Sequence, residues 1–180
     1  KSITCLGIST AVCCAVWSFL SPEVGLLSWA GFAGCTSYFA CPDHGWKGVK
    51  SAFFCVMSGI AYALLTLYLN KVFPSFTVSL VVALATVHLM CIQRKIPILA
   101  YIPGTFFGSF STFAAGGDLI IIPCMILGII LGLCCDKGGA WLFKLVGKKE
   151  DVEIEKREMK LRQIVLTASS PLVGKIIQES

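Results

Sequence analysis

The chain has 180 residues, of which 56% are apolar and only 14% charged, with a formal net charge of +5 and a mean hydropathy of +0.82. A soluble domain carries about a quarter charged residues, so the composition argues against a water-soluble fold, against disorder and against nucleic-acid binding. It predicts an all-α, polytopic membrane protein whose first partner is the lipid bilayer.

A helix needs about 20 apolar residues to cross the hydrocarbon, and in chain order six segments approach that length. They are Ile3–Leu20, Gly25–Cys41, Val49–Leu69, Phe76–Ile92, Pro97–Ala115 and Leu119–Cys135. The breaks between them hold turn formers: Ser21-Pro22-Glu23, Pro42-Asp43-His44-Gly45, Asn70-Lys71 with Pro74, Gln93-Arg94-Lys95 and Gly116-Gly117-Asp118. Backbone in lipid must satisfy its own hydrogen bonds, which makes each segment a helix. Lys1, Lys47, Lys50, Arg94, Lys95 and Lys137 fall on one side of this topology and only Lys71 on the other. By the positive-inside rule both termini are cytoplasmic. No cleavable signal peptide is expected, because the first apolar run lacks a basic region before it and a cleavage site after it.

After Asp136 the composition changes. Glu153 with Arg157, and Glu158 with Arg162, stand four residues apart on a helix face. Val152, Met159 and Leu166 recur every seven residues. This predicts a charged cytoplasmic helix, which either lies against anionic headgroups or docks a partner. The expected division is 1–74 and 75–141 as two membrane repeats and 142–180 as the tail.

The repeat rests on an offset of 74 residues, which lays Ser28–Ala40 on Ile102–Ala114 with five of thirteen positions identical. These are Phe32/Phe106, Gly34/Gly108, Ser37/Ser111, Phe39/Phe113 and Ala40/Ala114. Three spans per repeat is an odd number, so the halves are expected to be inverted in the membrane, as in many transporters and channels. Spans two and five carry the Gly and Pro interruptions that mark a solute site in such folds. Ala30, Gly34, Ser37 and Cys41 share one helix face, and Gly104, Gly108, Ser111 and Ala115 share the same face of its counterpart.

Two readings of that face follow. Small residues let helices pack closely, which needs no pore. Alternatively Gly34, Thr36, Ser37, Gly104, Gly108, Ser111 and Thr112 border a narrow polar path that Phe39 and Phe113 constrict. Among single residues, His88 lies within span four and is a proton-handling candidate. Asp118 reads as the cap of span six, with a gating role as its alternative. Cys41, Asp43 and His44 have no second ligand pair to complete a zinc signature, and the doublets Cys13-Cys14 and Cys134-Cys135 lack CxxC spacing. The ten cysteines therefore read as reduced, buried thiols. No metal, cofactor or enzymatic motif is evident.

The segments GLLSWAGFAGCTSYFACP, MCIQ and PGTFFGSFSTFA resemble the YcdZ-like family of small bacterial inner-membrane proteins. The resemblance implies a six-span inner-membrane protein and names no substrate. By architecture alone the chain is also similar to six-helix oligomeric channels for urea, amides or formate, although none of their motifs is matched. The reading that combines these features is a channel or facilitator, a homo-oligomer, for a small and mainly uncharged solute. The alternative is a non-transporting scaffold whose tail binds a cytoplasmic partner, and a third is a proton-coupled carrier using His88.

Overall fold

A computed structural model of the chain describes residues 2–168, and the side chains of residues 3–146. The described residues form six α-helices: α1 (Ser2–Glu23), α2 (Ser28–Phe39), α3 (Gly45–Val72), α4 (Phe76–Ile92), α5 (Ile102–Ala114) and α6 (Ile121–Ala168). Four stretches are long and apolar enough to cross a membrane: Ile3–Glu23, Gly45–Val72, Phe76–Lys95 and Ile121–Val146.

The second and fifth expected spans are the exceptions. α2 has 12 residues and α5 has 13, or about 18–20 Å at 1.5 Å per residue, short of the about 30 Å hydrocarbon core. The reason is local. Gly25, at φ +71°, ends α1 in a Schellman turn, with Leu26 N–H donating to Ser21 O at 2.8 Å and Gly25 N–H to Pro22 O at 3.0 Å. The chain is then extended at Leu27 before α2 begins. Before α5, residues 93–99 form two 3₁₀ turns, because Pro97 has no N–H to continue a helix. α5 starts afresh with Pro103 in its first turn. Its end repeats the Schellman geometry: Gly116 has φ +64°, with Gly117 N–H on Thr112 O at 2.9 Å.

The chain divides into two units, Lys1–Ala140 and Trp141–Ser180. The first contains both expected repeats in one core. α3 packs against α4 and α5, and α2 against α1, α3 and α5. Tyr38, Val56, Ile60, Met125 and Ile129 fill the centre. α1 runs antiparallel to α6, with Ser9 Oγ donating to Cys135 O at 2.9 Å and Leu6 against Gly139. The outer faces of α1 and α4 expose Ile3, Phe19, Phe76 and Leu84, as helices bordered by lipid do. The second unit is helical to Ala168. The expected pairs Glu153/Arg157 and Glu158/Arg162, and the Val152/Met159/Leu166 stripe, lie outside the described side chains.

Candidate functional site

The seam is built by glycine. A Cβ on Gly34 of α2 would stand 2.5 Å from Met125 O and 3.0 Å from Gly128 Cα of α6. A Cβ on Gly108 of α5 would strike Val56 O of α3 and reach within 3.1 Å of Ile60 N. On the facing helices, Gly59 lies against Thr105 O and Gly128 against Gly31 O. Each short helix is thus in backbone contact with a long one.

These contacts repeat by number. The buried residues of α2 are Ala30, Gly31, Gly34, Cys35, Ser37 and Tyr38. Those of α5 are Gly104, Thr105, Gly108, Ser109, Ser111 and Thr112, each 74 residues on. For the long helices the offset is 69. Val56, Gly59 and Ile60 of α3 hold α5 as Met125, Gly128 and Ile129 of α6 hold α2. All seven buried α3 positions from Ala52 to Thr66 then fall on buried α6 positions from Ile121 to Cys135.

Polar groups decorate this frame. Three buried side-chain polar atoms lack a hydrogen-bond partner among the described residues: Ser37 Oγ, Ser111 Oγ and Asn70 Oδ1. The two serines are counterparts at the 74-residue offset, and both are wholly buried. The Ser37 carbonyl is held by Tyr101 Oη, which donates to it at 2.8 Å. Thr112 Oγ1 donates to Gly108 O at 2.8 Å. Thr36 is placed differently: it is exposed on α2 and donates to Phe32 O at 2.9 Å. Gly34, Gly104 and Gly108 are buried against neighbouring atoms, so no passage runs directly over them.

The expected aromatic constriction is not assembled as a single ring pair. Phe39 is half-buried and packs edge-on to Tyr38, with centroids 5.6 Å apart. Phe113 is exposed and borders a groove of about 250 Å³ among α3, α4 and α5. That groove is also lined by Thr66, Thr86, Met90, Phe106 and Ser109. Within it Thr66 and Thr86 share a 3.0 Å hydrogen bond. His88 is exposed on α4, outside the core. Asp118 is exposed at the entry to α6, where its Oδ1 accepts Ile120 N–H at 3.0 Å.

Two polar clusters were not singled out by sequence reasoning. Gln93 is 4% exposed; its amide donates to Thr105 Oγ1, and its Oε1 accepts from Ser58 Oγ at 3.3 Å. In sequence it was one polar residue of a Gln-Arg-Lys break. The other cluster ties the loop before α3 to α6: Tyr38 Oη donates to Asp136 Oδ2 and accepts Gly45 N–H, both at 2.8 Å. Lys137 Nζ lies 5.4 Å from the Trp46 ring centroid, and Lys47 pairs with Asp43 at 2.9 Å. The charged and amphipathic residues gather at this end of the bundle.

Long apolar helices, short glycine-seated helices and one charged end define a polytopic α-helical membrane protein. The chain belongs to a family described as protein of unknown function (DUF1097), which matches residues 7–140. It is 38% identical over 139 residues to the inner membrane protein YcdZ of Escherichia coli (strain K12), covering 76% of this chain and 85% of that one. It is 40% identical over 139 residues to YcdZ of Salmonella typhimurium (strain LT2), covering 76% and 87%. Both relatives carry the name of inner membrane proteins. No solved structure matches.

Proposed function

We propose that the protein is a channel or facilitator for a small, mainly uncharged solute, formed by two inverted repeats and placed in the bacterial inner membrane with both termini cytoplasmic. The observation that carries this reading is the pair Ser37 and Ser111. Leaving a hydroxyl buried without a partner costs about 1–3 kcal/mol. Two such hydroxyls at counterpart positions of the short helices favour a polar guest that donates or accepts there in passing. The glycines serve the path indirectly, by seating α2 on α6 and α5 on α3. Among the described residues no Asp, Glu, Lys or Arg is buried, which suits a neutral solute and disfavours an ion. The uncovered faces of α1 and α4 are where lipid or further copies of a homo-oligomer would lie.

The test is stopped-flow light scattering on proteoliposomes challenged with urea, acetamide, formate and glycerol. Wild type should speed the relaxation for one of these. The double substitution Ser37→Ala, Ser111→Ala should slow that flux about tenfold, or about 1.4 kcal/mol of barrier, while the protein inserts and folds normally. Unchanged flux, or permeation no faster than through empty liposomes, overturns the proposal.

A scaffold is the second reading, favoured by the continuation of α6 to Ala168, well beyond the apolar stretch that ends at Val146. Deleting residues 147–180 separates the two, since a pore keeps its flux and a scaffold loses its partner. The proton-coupled carrier has no observation in its favour, because His88 lies outside the core.

A further inference from the structure

Cys14 of α1, Cys35 of α2 and Cys135 of α6 are far apart in sequence, yet their three Sγ atoms all lie within 4.8 Å of one another. Cys35 is 5% exposed and Cys135 is fully buried, while Cys14 is half-buried. Metal–sulfur bonds of about 2.3 Å place the sulfurs of a three-coordinate thiolate site about 4.0 Å apart, so the observed cluster needs little contraction to close on an ion. Cys13, the chain neighbour of Cys14, is not part of the mutually close set of three sulfurs.

The counterpart positions in the other half make the arrangement more than close packing. At the offsets already described, Cys35 corresponds to Ser109 and Cys135 to Thr66, and these two line the open groove beside α4. The same recess between a short helix, a long helix and a peripheral helix is therefore used twice. In one copy the counterpart positions carry hydroxyls at the edge of an open and largely apolar groove; in the other they carry sulfurs that converge on a single point.

The donor chemistry selects the ion. Sulfur alone, with no carboxylate or imidazole in the cluster, excludes the hard cations and leaves thiophilic ones. Zinc closes structural sites with four tetrahedral ligands, whereas three thiols suit the lower coordination number of a soft monovalent ion. We propose that Cys14, Cys35 and Cys135 form a thiolate binding site for Cu(I). The metal enters already as Cu(I), so no electron is transferred. Each thiol that ligates forms one Cu–S bond and releases its proton to solvent, and affinity therefore rises with pH. The site is separate from the proposed solute path and stands or falls independently of it.

The experiment is anaerobic titration of the purified, reduced, full-length protein in detergent with Cu(I), supplied as its acetonitrile complex against a chromogenic chelator. The expected result is one Cu(I) withdrawn per chain, more tightly at higher pH, with copper K-edge X-ray absorption showing sulfur-only coordination. The Cys35→Ser and Cys135→Ser variants should each lose the bound equivalent, and the Cys91→Ala, Cys134→Ala double variant should keep it. Because a core substitution can unfold the protein, the half-buried Cys14→Ser variant, checked for its fold by circular dichroism, is the second test and should lose the bound equivalent as well. Failure to withdraw copper, coordination by nitrogen or oxygen, or undiminished binding in the Cys35→Ser variant overturns the proposal. Zinc held by sulfur with no uptake of Cu(I) overturns the choice of metal.

Discussion

At the scale of single residues, three glycines with similar sequence surroundings have different consequences. A Cβ on Gly59 or Gly128 would meet backbone carbonyls, of Thr105 and Gly31 respectively, whereas a Cβ on Gly7 of α1 meets nothing within 4 Å. Backbone cannot rotate away as a side chain can, so the helices must separate. Gly59→Ala and Gly128→Ala should each destabilise by about 1–3 kcal/mol, while Gly7→Ala should be neutral or slightly favourable. Thermal unfolding in detergent followed by circular dichroism measures the contrast, and equal midpoints for all three would refute the close seam. Tyr38 is a second case. Tyr38→Phe keeps the ring but leaves Asp136 Oδ2 and Gly45 N–H without the 2.8 Å partners they now have. A loss of about 1–3 kcal/mol is expected in the same assay.

The elements are set by where helices stop. α1 and α5 both end on a glycine with positive φ, Gly25 and Gly116, and in both a six-residue loop of hydrogen bonds closes over it. An L side chain in that left-handed conformation costs about 1–2 kcal/mol. Gly116→Ala should therefore lower stability by about that amount, although no neighbour lies within 4 Å of the added Cβ. A loss seen there but not at Gly7 separates conformational strain from crowding. These stops also make α2 and α5 short. The apolar run of each was legible, but hydropathy does not distinguish a continuous 17-residue helix from a 12-residue helix with extended apolar flanks. Leu26 and Leu27 are as apolar as the helix they precede, and only their hydrogen bonding excludes them from it.

For the whole molecule, the proposed inversion of the two halves makes a test of orientation decisive. A periplasm-active reporter fused in the loop between α3 and α4 should be active, and one fused at the C-terminus should be silent, with the opposite pattern for a cytoplasm-active reporter. Matching activities at both sites would remove the odd-number topology on which the inversion rests. The packing itself crosses the sequence halves, since α5 rests on α3 and α2 on α6. Residues 1–74 and 75–140 consequently share one core. The sequence by itself determined that the chain is a membrane protein, where its four long apolar helices lie, and that Ser28–Ala40 recurs at Ile102–Ala114. These are local or periodic properties, visible without knowing any contact. Tertiary structure alone decided the 69-residue register of α3 on α6. The matching contact positions of the short and the long helix stand five residues closer together along the chain in the second half, although the loop between those helices is no shorter there, so a single offset slips the long helices past one another by more than a turn. It alone left Ser37 and Ser111 buried without partners, set Gln93 beside Thr105, and brought Cys14, Cys35 and Cys135 together. Each of these depends on which helix faces which, and that is fixed by backbone contacts over glycines whose positions the sequence shows but whose partners it does not.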